Sequence, residues 1–81
     1  MTSDDAPHPD LDATGLKCPL PVLKIRKRLA PLRAGQTLRV WTDDPAALID
    51  VPHFCAEQGH SVVESDDSRF PRQTWLIRKG A

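Results

Sequence analysis

The heptapeptide GLKCPLP, residues 15–21, sets one cysteine between a glycine and two prolines, and no other stretch of the sequence has residue types so well suited to chemistry. A residue before proline is pushed out of the α region, and proline is tolerated at the first helical position because its missing N–H would lack a partner there anyway. The spacing predicts that Cys18 is the N-cap of a helix whose first residue is Pro19. Pro21 removes a further donor, so the amides of Leu20 and Val22 are expected to face the sulfur. A helix N-terminus acts as roughly half a positive charge. Lys17 adjoins the cysteine, and Lys24 and Arg28 follow along the same segment. Positive potential favours the thiolate and brings a thiol pKa down from about 8.5 toward neutrality. The sequence therefore reads as an exposed, reactive Cys18 with a lowered pKa.

Other chemistries are poorly served. Cys55 shares an apolar arc with Val51 and Phe54, which predicts a thiol packed in the core. Cys18, His53, Cys55 and His60 match no familiar ligand spacing, so no metal is expected. There is no C-x-x-C, which rules out disulfide exchange within one motif. A chain this short also leaves little room for the cleft of a Cys–His hydrolase. His53 reads as solvent-facing and His60, after Gly59, as a turn residue. An activated thiol without a pocket suits a carrier that receives sulfur from a persulfide and passes it on, with no cofactor.

The elements that must position this thiol follow from periodicity. Leu11–Ala13 is a short strand candidate ended by Thr14 and Gly15. Val22, Ile25, Leu29 and Leu32 recur at helical spacing, with Lys24, Lys27 and Arg28 on the opposite face and Pro31 near the end. Gln36–Thr42 alternates Leu38 and Val40 against Arg39 and Trp41, the pattern of a half-buried strand. After a turn at 43–45 comes a second helix ending at Gly59. Pro52 would clash in a helix interior, so regular helix is expected from about Val51, with Asp50 as N-cap. His60–Ser65 and Gln73–Lys79 read as two strands joined by DDSRFP, with the choice between Trp75 and Leu76 for the core left open. Right-handed crossovers then give an α/β fold of order βαβαββ: a two-layer α/β sandwich with a four-stranded mixed sheet and two helices on one face. The other sheet face stays open, and Arg39 and Trp41 are expected on it.

Eighty-one residues make one domain, read here as a polar leader over 1–9 and a folded unit over 10–81. No apolar run approaches the ~20 residues of a membrane-spanning helix, and the N-terminus does not resemble a secretory signal, so a cytoplasmic protein with two reduced thiols is expected. Eleven basic and eleven acidic residues give zero net charge, which disfavours a dedicated nucleic-acid binder. The charges are nevertheless segregated. Residues 17–33 are basic without an acid, and the acidic stretch 43–67 reads as a solvated face.

The motif resembles the signature G-L-x-C-P-x-P of the TusA/SirA-type small sulfur carriers, here Gly15, Leu16, Lys17, Cys18, Pro19, Leu20 and Pro21. The likeness runs over about residues 11–80, through DDPAALIDVPHFC (43–55), GH (59–60) and LIRKG (76–80). It implies the same βαβαββ sandwich and a sulfurtransferase-type carrier rather than a stand-alone turnover enzyme. By the same resemblance Cys18 takes persulfide sulfur from a cysteine desulfurase or a rhodanese-like donor and relays it to an acceptor protein, with Gly15, Leu16, Pro19 and Pro21 as motif support. Family members also keep a cysteine at the position of Cys55. Where many TusA proteins carry an acidic residue this chain has Leu20, and the pathway stays open between tRNA thiolation, sulfur oxidation, molybdenum-cofactor supply and selenium metabolism.

Lys17, Lys24, Lys27 and Arg28 are candidates for docking Cys18 against acidic partner surfaces. No direct nucleic-acid contact, no membrane and a monomer are expected. The competing reading is a non-catalytic regulatory or interaction module that uses the open sheet face and the basic helix. Cys18→Ser separates the two, since a scaffold survives it and a carrier does not.

Overall fold

A computed structural model describes residues 9–80. The stretch read as a leader lies outside the described residues except for Pro9. The order is β1 (Leu11–Asp12), α1 (Leu20–Leu29), β2 (Thr37–Thr42), α2 (Ala47–Gln58), β3 (Ser61–Arg69) and β4 (Arg72–Arg78). The strands lie in the order β1-β2-β4-β3. β1 runs parallel to β2, with Leu11 opposite Val40, while β4 is antiparallel to both of its neighbours. This is the mixed four-stranded sheet with two helices that the alternation of elements predicts.

Strand alternation decides which face is covered. Leu38, Val40 and Thr42 of β2 point into the core while Arg39 and Trp41 stand on the other face. In β4 the buried set is Gln73, Trp75 and Ile77, which settles the ambiguity between Trp75 and Leu76 in favour of Trp75. Ile25 and Leu29 of α1 and Val51, Phe54 and Cys55 of α2 close the same core, with Val22 and Leu32 packed at its margin. No helix among the described residues is long and apolar enough to cross a membrane.

Three expectations about element ends are corrected. α2 begins at Ala47, not near Val51, and Pro52 lies inside it. The first turn tightens through Leu48 N–H to Pro45 O (3.2 Å) and Ile49 N–H to Ala46 O (3.1 Å). The carbonyl that Pro52 leaves without a donor belongs to Leu48, an exposed residue. β3 continues through the predicted connection as far as Arg69, with register irregularities between Val62 and Glu64 and between Asp66 and Arg69, so the joining turn shrinks to Phe70 and Pro71. α1 starts at Leu20 with Pro19, not Cys18, as its N-cap.

Two polar devices hold the layers together. The buried Trp75 indole N–H donates to Thr42 Oγ1 (2.9 Å), the Thr42 hydroxyl donates to Gln73 Oε1, and Gln73 Nε2 donates to Asp44 O (3.2 Å). At the other end of the sheet Lys79 Nζ donates to the carbonyls of Leu29 (2.8 Å), Ala30 (3.3 Å) and Leu32 (3.0 Å), capping α1 with a cation where its dipole is negative. Gly59 takes φ 78° to end α2. His60, the expected turn residue, accepts from Gly80 N–H at Nδ1 (2.9 Å) and so ties down the end of the described chain.

Candidate functional site

Because β1 and β2 are parallel neighbours, their C-terminal ends emerge side by side, and the loops that follow them meet. The first of these is the motif loop. Asp12 Oδ1 accepts from Thr14 N–H (3.0 Å) and the Thr14 hydroxyl (2.6 Å), turning the chain out of β1. Gly15 follows at φ 83°, a conformation that favours glycine. The second is the Asp43-Asp44-Pro45 turn after β2.

The second loop clamps the first. Gly15 N–H donates to Asp43 Oδ1 (2.8 Å) and Cys18 N–H donates to Asp44 Oδ2 (2.7 Å). The buried relay from Trp75 ends on the Asp44 carbonyl, so the core itself fixes the residue that holds the cysteine backbone. Leu20 N–H returns to Lys17 O (2.8 Å), closing a turn in which the Cys18–Pro19 peptide is cis. That closure moves the helix start one residue past the predicted N-cap. It also occupies the Leu20 amide that was expected to face the sulfur.

Cys18 is exposed, as predicted, but its electrostatics are reversed. The thiol is held above its ordinary pKa, first by a hydrogen bond to the Asp50 carboxylate, then by desolvation and by the charges of Asp50 and Asp44. The sequence reading took account of the helix tip and the lysines and missed the acids. Asp50 comes from the first turn of α2 and Asp44 from the turn before it, and both charges oppose ionisation of the thiol. Cys55 is the packed thiol expected, 1% exposed and pushed up to about 11 by burial.

Lys17 stands in the turn before the thiol, and Lys24, Lys27 and Arg28 on α1; all four are exposed. Leu16 is half-buried and Pro21 buried under the loop, while Pro19 is exposed. Exposed apolar side chains also flank this edge: Leu20 and Leu23 on α1, and Leu48 and Ile49 on α2, of which Ile49 is 75% exposed. His53 is solvent-facing and 3.4 Å from Glu57. Among the described residues no three His, Cys, Asp or Glu side chains gather as a metal-ligand set.

Asp43, Asp44 and Asp50 are the site residues that the sequence reading left out. The signal was present in the order of elements: a βαβ crossover makes β1 and β2 parallel, so residues just after β2 must meet residues just after β1.

A family model described as sulfurtransferase TusA matches residues 10–79. Among solved structures, the chain is similar to a SirA-like protein from Desulfitobacterium hafniense, at 26% identity and a TM-score of 0.75, over 88% of this chain and 96% of that one.

Proposed function

This chain belongs to the TusA family of sulfurtransferases, and from that premise we propose that it carries sulfur as a persulfide on Cys18. The observation that supports this reading best is a solitary exposed thiol whose backbone is pinned at Gly15 and Cys18 by two carboxylates. The Cys18 thiolate attacks the outer sulfur of a donor persulfide; the new S–S bond forms as the old one breaks, and the donor leaves as a thiolate. An acceptor thiolate then attacks the outer sulfur on Cys18 and releases Cys18 as a thiolate. Sulfane sulfur moves at each step with no net oxidation, so no further reagent is consumed.

The donor in this proposal is a cysteine desulfurase or a rhodanese-like protein, and the acceptor a protein thiol. The basic face of Lys17, Lys24, Lys27 and Arg28 provides charge for docking, and the exposed Leu20, Leu23 and Ile49 provide apolar contact. Intact-mass measurement after incubation with a desulfurase and cysteine tests the chemistry. One added sulfur, absent from Cys18→Ser, is the expected result; equal sulfur loading of Cys18→Ser would refute the assignment. For docking, Lys24→Glu with Arg28→Glu should slow loading at low salt without altering the fold.

A further inference from the structure

The sheet face away from the helices carries an open groove of about 810 Å³ that the sulfur chemistry does not use. Its floor is built by alternation: Arg39 and Trp41 from β2, Arg72 from β4, Glu64 and Asp66 from β3, with Arg69 at the hairpin end. Two features mark it as more than a solvated surface. The Arg72 guanidinium carbon lies over the Trp41 ring, 4.3 Å from its centre, a cation held on an aromatic face. None of the three arginines forms an ion pair with a described carboxylate; the one ion pair among the described residues is His53–Glu57.

The chemistry that satisfies this face has three parts. A flat π-system can extend the Trp41–Arg72 stack, because a guanidinium plane accepts a base on its outer side as an aromatic ring does. A phosphate supplies oxygen acceptors to Arg39 and Arg69 in the bidentate geometry that arginine favours. Glu64 and Asp66, which would repel a bare anion, accept instead from amino or hydroxyl groups on the same ligand. We propose that the open sheet face of this protein is a binding site for a mononucleotide, with the base on the Trp41–Arg72 stack and the phosphate on the arginines. The volume is within the range of small-ligand sites.

Calorimetry and saturation-transfer NMR on the full chain with AMP, adenosine, ribose 5-phosphate and inorganic phosphate test it. Saturable binding of AMP, about tenfold or more tighter than each fragment, is expected because both halves of the site contribute. Arg72→Gln and Arg39→Gln should each weaken AMP by about tenfold, Trp41→Phe should bind and Trp41→Ala should not, while Cys18→Ser should bind as the wild type. Circular dichroism and thermal unfolding of each variant separate lost binding from lost fold. Ribose 5-phosphate or phosphate equalling AMP would overturn the proposal in favour of a plain anion site. So would an absence of saturation at millimolar AMP, AMP binding unchanged in Arg72→Gln, or a single-stranded oligonucleotide that binds where AMP does not.

Discussion

Removing the Asp44 carboxylate tests the link between the clamp and the thiol. In Asp44→Ala the Cys18 N–H loses its 2.7 Å acceptor and Ala46 N–H a weaker one at 3.3 Å. A hydrogen bond to a charged group contributes about 1.5–3 kcal/mol when its partner is desolvated. The Cys18 amide sits in an exposed loop where water replaces part of the loss, so about 1–1.5 kcal/mol is expected. For a domain of this size that lowers Tm by roughly 4–12 °C. Asp44→Asn keeps an acceptor without the charge and should lose about half as much.

The same substitution has an electrostatic consequence of known sign. Asp44 and Asp50 raise the Cys18 thiol, so less of it is thiolate near neutral pH than in a free cysteine. Removing either charge lowers the thiol pKa and moves the midpoint of the alkylation rate against pH downward, most in Asp50→Asn because Asp50 is the largest cause of the rise. Iodoacetamide labelling of Cys18 across pH, followed by mass spectrometry, reads this. The midpoint is the diagnostic, since a loosened loop alone would raise the rate at every pH without moving it. A wild-type midpoint below that of a free cysteine, or midpoints unchanged in both variants, would refute the reasoning.

Three further measurements bear on the scaffold. Lys79→Met leaves the carbonyls of Leu29, Ala30 and Leu32 without their cation and should cost about 2 kcal/mol in urea unfolding, with fraying confined to the α1 C-terminus by hydrogen exchange. Thr42→Val preserves volume but strands the Trp75 indole N–H and Gln73 Oε1 in the core, for a loss of about 2–4 kcal/mol; a stability equal to wild type would mean the relay carries nothing. His60 is held below its ordinary 6.5, by desolvation first and then by the Lys79 charge, and its Nδ1 accepts from Gly80. The unfolded chain therefore binds the proton first as pH falls below 6.5. Stability present above 6.5 should be lost as pH falls through the lower folded value, and His60→Gln should flatten that part of the urea-midpoint profile.

What could be read from the sequence was what local chemistry determines. The apolar face of α1, the alternation along β2 and the glycine closing α2 each depend on neighbours within a turn or two, and each stands where periodicity put it. Trp75 and Leu76 could not be told apart because β4 is apolar on both faces at 75–77. The indole N–H settles the matter by needing a buried acceptor, and Thr42, 33 residues away, supplies one. Pro52 misled because the cost of proline in a helix depends on whether the orphaned carbonyl is buried, which a single sequence does not state.

The error at Cys18 has the same origin and a larger consequence. The motif's own flanks, Lys17 and the helix after it, are positive. The pairing of β1 with β2 then brings in a turn from 26–28 residues further along the chain, and that turn is acidic. Local charge therefore gave the wrong sign for the thiol pKa, while local geometry gave the right exposure. The two are separable because exposure is set by where the loop leaves the sheet, and potential by every charge that the topology gathers around it. A thiol framed by carboxylates on one side and by an exposed basic helix on the other presents both signs of charge at its surface. A cationic group on a docking partner that pairs with Asp44 or Asp50 would withdraw the acid that holds the thiol proton. Labelling Cys18 with a desulfurase bound, out of reach of its own catalytic cysteine, should then show a lower midpoint than in the free chain; an equal midpoint would refute that step.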